Sequence, residues 1–379
     1  MADFTSALYL GIDHGSRQLP GWDRLTLGKP AALEPPPGAE QVERDLARLV
    51  GCERALLGPS TLHLCLDLFP IVSRIGMCLF VDDCLYPVAR WGVERSAALG
   101  IPVVMFHRHD VRALWQAIAL AKSKRPVIVA DGFCPACGRS VPLREYVDCA
   151  SAQDGLIVLD DTQAIGIMGR RPGPLAPYGI GGGGSMSLAE VRDRRVVIVG
   201  SLAKAFGAPV AFVSGSHQLI WEFGRLSSTR VHCSPPSAAA IAAAARALET
   251  NRRQGEQLRW ALAERVSRFR RGLGAMAGSP GLFPVQHLKL PRHAEPLVLH
   301  KQLRRRGVHT VLTGSGRGGP ARIAFVLTAR HENHEIDHAL AHLAELTGRT
   351  SFASWGGGSG NGKSTDELRA FRSAAGASR

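Results

Sequence analysis

From Leu79 onward the chain alternates two kinds of apolar pattern. Short unbroken runs at residues 79–81, 103–106, 127–130, 156–159, 196–199 and 210–213 have the length and composition of strands covered on both faces. The stretches between them are longer and amphipathic, as at residues 111–122 and 143–152, and predict helices. This strand-helix-strand rhythm predicts an α/β fold around a large, mainly parallel sheet, with right-handed crossovers and ligands at the carboxyl ends of the strands.

After Pro235-Pro236 the pattern changes. Residues 237–248 form an alanine-rich helical stretch, and residues 256–273 a second one in which arginines alternate with apolar residues. A smaller α+β unit follows, with strands expected at 287–290, 308–312 and 322–328 and helices at 295–306 and 334–346. The expected organisation is an N-terminal arm (1–39), a large domain (40–250), a small C-terminal domain (251–348) and a tail (349–379). From residue 356 the tail is rich in Gly and Ser and reads as disordered, and Gly181-Gly-Gly-Gly184 reads as a flexible loop.

The composition, 379 residues with 45% hydrophobic and 21% charged, supplies enough apolar material for two ordinary globular cores. No run approaches the ~18 consecutive apolar residues of a membrane span. Residues 1–15 lack the basic start and apolar run of a secretory signal, so a soluble cytoplasmic protein without membrane contact is expected. The formal net charge of +14 is dispersed, with few aromatics beside it, which argues against nucleic acid and for an anionic small molecule or an acidic protein. The densest basic groups, Arg268-Phe-Arg270-Arg271 and Arg304-Arg305-Arg306, read as solvated helix faces. Eight cysteines are too few for a disulfide framework, and Cys134-Pro-Ala-Cys137 has no second ligand pair, so it reads as a loop, with no metal.

Three features carry chemistry. Lys204 is the one charged residue between Val196 and Ser216. A lysine in apolar surroundings loses its ammonium form more easily and becomes a nucleophile toward carbonyl groups, although such a residue also commonly snorkels to the surface. Asp160 ends an apolar strand, where a buried carboxylate needs a cationic partner such as a protonated pyridine nitrogen; an N-cap or a metal carboxylate is the plainer alternative. Pro59-Ser60-Thr61 precedes an apolar helical run whose free N–H groups would face an anion.

In this order the three features resemble the aspartate-aminotransferase-fold enzymes that use pyridoxal 5'-phosphate (PLP), and among them the α-oxoamine synthases. The resemblance covers roughly residues 40–346. Ser201-Leu-Ala-Lys204 is similar to the family's Thr/Ser-x-Gly-Lys, with Ala203 for Gly, and implies Lys204 as the Schiff-base lysine and Ser201 as a phosphate ligand. Asp160-Asp161-Thr-Gln163-Ala-Ile-Gly166 resembles Asp-Asp-x-His-x-x-Gly, which implies Asp160 as partner of the ring nitrogen and Gln163, in place of His, at the phenol oxygen. Asp82-Asp-Cys-Leu-Tyr86 resembles Asp-x-x-x-His, so Tyr86 takes the ring-stacking place.

Asp131-Gly132 to Gly138 resembles Glu-Gly-x-x-Ser-x-x-Gly, with Pro135 for Ser. His232-Cys-Ser234-Pro-Pro236 resembles the segment that reaches the neighbouring subunit's phosphate, through Ser234, and Arg322 takes the place of the arginine that holds the amino acid carboxylate. The resemblance implies a homodimer that condenses an amino acid with an acyl thioester, from CoA or an acidic acyl carrier protein, with loss of CO2. An aminotransferase or a β-elimination/replacement enzyme would share the early chemistry, and a non-catalytic scaffold of the same fold is the non-enzymatic alternative.

Overall fold

The computed structural model of the protein describes residues 1–15, 19–20, 22, 25–74, 76–121, 124–291, 294–315 and 319–348. The tail from residue 349, where disorder is expected from composition, lies outside them.

A seven-stranded sheet forms the centre. Its strands are β1 (Arg54–Gly58), β2 (Met77–Asp82), β3 (Val103–Phe106), β4 (Arg125–Asp131), β5 (Leu156–Asp160), β6 (Val196–Ser201) and β7 (Ala211–Gly215). Their order across the sheet is β1-β7-β6-β5-β4-β2-β3. The pairs from β6 to β3 are parallel, and β7 runs antiparallel to both β6 and β1. Because both parities of each central run are apolar, the two faces build two cores. Leu79, Val81, Val127, Val129, Val158 and Val199 pack on one face with Leu64, Leu68, Phe69 and Phe223. Phe80, Ile128, Ala130, Ile157, Leu159 and Ile198 join the other, with Leu46, Leu114, Tyr146 and Phe269.

Strand β1 is absent from the sequence expectation. Only Ala55, Leu56 and Leu57 separate Arg54 from Gly58, too short a run to distinguish from the loop that follows, and its pairing with β7 supplies the hydrogen bonds that make it a strand. The helix expected in two pieces is one of 36 residues, Ala238–Leu273. Its polar stretch Glu249–Gly255 contains no proline, so polarity alone does not break it. Arg252 pairs with Glu249 on the outside, while Asn251, Gly255 and Arg259 turn inward. A Cβ on Gly255 would lie 2.6 Å from both Asn251 Oδ1 and Arg259 Nη2, which explains a glycine in the middle of a helix.

Those inward groups also correct the expectation for Gly181–Gly184. Gly181 N–H donates to Glu256 (2.8 Å), Asn251 Nδ2 donates to the Gly181 carbonyl (3.1 Å), and Gly166 N–H donates to the Gly182 carbonyl (2.8 Å). The segment is a fixed crossing, and its last glycine starts the short helix Gly184–Ala189.

The C-terminal unit holds a three-stranded antiparallel sheet of β8 (Val285–His287), β9 (Val311–Ser315) and β10 (Gly319–Val326). Helices Pro296–Arg305 and Asn333–Leu346 accompany it. The strand expected at 308–312 is split, because Val308–His309 pairs instead with Ala2–Asp3 of the arm, in parallel. Phe4 then sits fully buried against Phe269, Phe325 and His331. The first basic cluster is more engaged than a solvated face would be, since Arg268 holds Asp337 in a two-pronged contact and Arg270 donates to Gln286 (2.8 Å), whereas Arg304, Arg305 and Arg306 are exposed as expected. Among the described residues no helix is long and apolar enough to cross a membrane.

Candidate functional site

Strand register assembles the site. Asp131, the last residue of β4, is in register with Asp160, the last of β5. On the other side Ser201, at the end of β6, pairs with Ala211, which pairs in turn with Gly58 at the end of β1. The carboxyl edge of the sheet thus carries Asp131, Asp160, Ser201 and the start of the Pro59-Ser60-Thr61 loop in one row, where an open α/β sheet binds its ligands.

Lys204 stands three residues beyond β6, in the turn before β7. Its side chain is largely withdrawn from water, which pushes its pKa below the ordinary 10.5, against the opposing pull of Asp160 and Asp131. Burial moves the two carboxyls the other way: both Asp160 and Asp131 are raised, Asp131 further by the neighbouring Asp160 charge. Thr162 N–H donates to Asp160 (3.0 Å) and its hydroxyl accepts from Ser201 N–H (3.1 Å), tying the ends of β5 and β6 together.

Tyr86 caps the helix Pro87–Ala98, its N–H toward Asp131 (3.3 Å) and its ring 5.8 Å from Lys204 Nζ. Tyr86 is 51% exposed, so its side chain is not packed into the core beside the lysine. Gln163 accepts the Tyr9 hydroxyl hydrogen at Oε1 (2.8 Å), which brings the N-terminal arm into the site. His14 of the same arm bonds the Phe206 carbonyl (2.9 Å), two residues past Lys204.

Ser60 caps the helix Thr61–Val72 and meets His63 Nδ1 at 2.8 Å. Asp161 is structural. Its carboxylate accepts from Ser185 N–H (2.9 Å) and hydroxyl, and a Cβ on Gly132 or Gly184 would overlap it, so both glycines are required by that approach. Cys134 lies in the hairpin of Phe133–Cys134 with Arg139–Ser140, making 135–138 its loop, and its sulfur accepts from Arg108 (2.8 Å).

Lys204, Asp160, Tyr86, Gln163, Ser201 and the 59–61 loop therefore share one sheet edge and its flank. Ser234 and Arg322 do not join them within one chain. Ser234 is exposed between the helix Ser228–His232 and the long helix. Arg322 is exposed on β10, electrostatically nearest to His287, and among the described residues no hydrogen bond or ion pair links it to Lys204 or Asp160. Two residues at the site were given no role by the sequence reading, Asp131, which it quoted only as the start of the 131–138 segment, and Tyr9. Asp131 ends an apolar strand just as Asp160 does, so the same signal marked it. Tyr9 had no such signal, because an arm's contacts are tertiary.

The sequence profile of the aminotransferase class I and II family matches residues 27–343. The chain belongs to that family. Within it, the chain is 27% identical over 310 residues to an 8-amino-7-oxononanoate synthase of Alcanivorax borkumensis, covering 81% of this chain and 77% of that one. It is 30% identical over 317 residues to the enzyme of the same name from Halorhodospira halophila, covering 81% and 74%. These relatives place it in the α-oxoamine synthase branch. The fold is that of a serine palmitoyltransferase from S. paucimobilis, solved with bound PLP, with a TM-score of 0.77 at 16% identity, covering 91% of this chain and 87% of that one.

Proposed function

We propose that this family member catalyses the decarboxylative condensation of an amino acid with an acyl thioester, using pyridoxal 5'-phosphate. The observation that carries the reading is buried Asp160 with half-buried Lys204 and Asp131 beside the exposed Tyr86. The residues fit the cofactor. Burial disfavours the charged form of both carboxyls, and a protonated ring nitrogen against Asp160 would hold that carboxylate charged.

Lys204, Asp160, Ser201 and the Pro59–Thr61 loop would hold the cofactor, with Tyr86 against its ring and Gln163 at an oxygen. When bound, the cofactor supplies an electron sink for the amino acid's Cα. Asp160 would keep the proton on the ring nitrogen. Lys204, whose ammonium form burial disfavours, would bond a carbonyl carbon and move the Cα proton. Arg322 offers a planar fork to the substrate carboxylate, and Gln163 offers a neutral N–H where other family members carry His.

The bond formed is Cα to acyl carbon; the bonds broken are C–S, releasing the thiol, and Cα to carboxylate, releasing CO2. The relatives' product suggests substrates to try first: cutting an 8-amino-7-oxo nine-carbon acid between C7 and C8 leaves a seven-carbon diacid acyl group and the two-carbon amine that remains of alanine. The +14 charge suits an anionic donor, a CoA ester or an acidic acyl carrier protein. Free thiols on all eight cysteines suit the cytoplasm. A homodimer, each chain built of a large domain (40–250) and a small one (251–348) behind the arm, completes the reading.

Given carboxyl-labelled alanine and a pimeloyl thioester, then a panel of other pairs, the holoenzyme should release labelled CO2 and free thiol in equal amounts. A keto acid and an aminated cofactor in their place would make it an aminotransferase and overturn the condensation.

A further inference from the structure

Tyr9 lies 2% exposed, with its ring edge-on to Phe283 at 5.7 Å and its carbonyl accepting from Ala329 N–H at 2.8 Å. Its position is therefore fixed by the C-terminal unit. Its hydroxyl, in contrast, reaches into the sheet-edge site and meets Gln163 Oε1 at 2.8 Å. A buried phenol hydrogen left without an acceptor is costly, and among the described residues Gln163 is the acceptor the Tyr9 hydroxyl has. With the amide turned over, Tyr9 could accept from Nε2, but its own hydrogen would have nowhere to go. Burial also raises the Tyr9 pKa, so the phenol remains a donor.

The amide of Gln163 is thus oriented by Tyr9. Oε1 is committed to the phenol, and Nε2 makes no hydrogen bond to any described residue. We propose that Tyr9 is a positioning residue: it fixes Gln163 with the amide N–H side free to donate to the phenol oxygen of the bound cofactor. A histidine at that place would need no such partner to present a donor. A glutamine, whose two ends differ in sign and which rotates freely, does. The inference rests on the reading of Gln163 and PLP given above. It adds that the N-terminal arm, far from Lys204 in sequence, tunes the cofactor.

The test compares PLP-loaded wild type, Tyr9→Phe, Gln163→Ala and the double variant by the pH midpoint of the cofactor's visible band, with thermal melts alongside. An N–H donated to the phenol oxygen weakens that oxygen's hold on the proton it shares with the neighbouring nitrogen. Gln163→Ala should therefore raise the midpoint, and Tyr9→Phe should raise it in the same direction, by about half a pH unit or more. The double variant should match Gln163→Ala. A Tyr9→Phe midpoint equal to wild type while Gln163→Ala shifts, even with a lowered melting temperature, would show a merely structural tyrosine and overturn the inference, leaving the proposed function standing. An unshifted Gln163→Ala would remove Gln163 from the cofactor and the inference with it. A wild-type chain that gains no visible band with PLP would instead sink the proposed function itself.

Discussion

At the scale of single residues, burial decides which groups are chemically available. Lys204 is lowered and Asp160 and Asp131 are raised by the same loss of water, so each is pushed toward its neutral form, and in the proposed reading a cationic ring would favour the charged Asp160. Asp161 shows the same force without the chemistry. Burial outweighs its bonds to Ser185 and lifts its carboxyl from 3.8 to about 7. Between those values the folded chain holds a proton that the unfolded chain has lost. The stability this supplies is complete below the unfolded value and is lost as pH rises through the folded one. Asp161→Asn, which stays neutral throughout, should make the fall of the urea midpoint of cofactor-free protein between about pH 4 and about pH 8 shallower than in wild type. A slope identical to wild type would mean that Asp161 does not titrate in that window. The lone lysine and the strand-ending Asp160 were legible because a charge in an apolar run is conspicuous. The partners of Asp161, Ser185 and two glycines, lie distant in the chain and carry no such mark.

At the scale of elements, the long helix Ala238–Leu273 is the clearest departure from the sequence reading, and Arg259 is its internal fastening. This side chain, 2% exposed, donates to the Gly166 carbonyl (2.8 Å), Asn251 Oδ1 (2.7 Å) and Glu256 (2.8 Å). It thereby ties the helix to the segment that follows Asp160 and Gln163. Arg259→Ala would leave the Gly166 carbonyl and Asn251 Oδ1 buried and unpaired and should cost about 3 kcal/mol, read from the shift of the urea midpoint at unchanged slope. A loss below about 0.5 kcal/mol, the size of an ordinary surface substitution, would show that water replaces the guanidinium. The helical stretches on either side were legible from their periodicity. Their fusion was not, since polar residues at 249–255 suit a loop and a solvated turn of helix equally.

At the scale of the whole molecule, the site is distributed over the arm, the sheet and, in the proposed homodimer, the second chain. Exposed Ser234, unconnected to the row of site residues in its own chain, is the residue proposed to reach the partner's phosphate. Losing one charge-assisted hydrogen bond should weaken PLP retention by about tenfold in Ser234→Ala. Lys204→Ala should fail to fix the cofactor at all. Refolded together, the two variants should recover part of the lost activity, because each mixed dimer contains one site with Lys204 from one chain and Ser234 from the other. Mixtures no more active than the separate variants would place Ser234 outside the site.

The sequence by itself determined the α/β architecture, most of its strands and the residues with intrinsic chemistry, because doubly buried strands demand unbroken apolar runs and a charge among them needs a reason. It also carried enough motif to reach the family. Only tertiary structure decided that Asp131 stands in register beside Asp160, that Gly58 and Ser201 meet across β7, and that Tyr9 of the arm holds the amide of Gln163. Each of these depends on partners distant in the chain, and local pattern reports the burial a residue requires without reporting which residue will provide it.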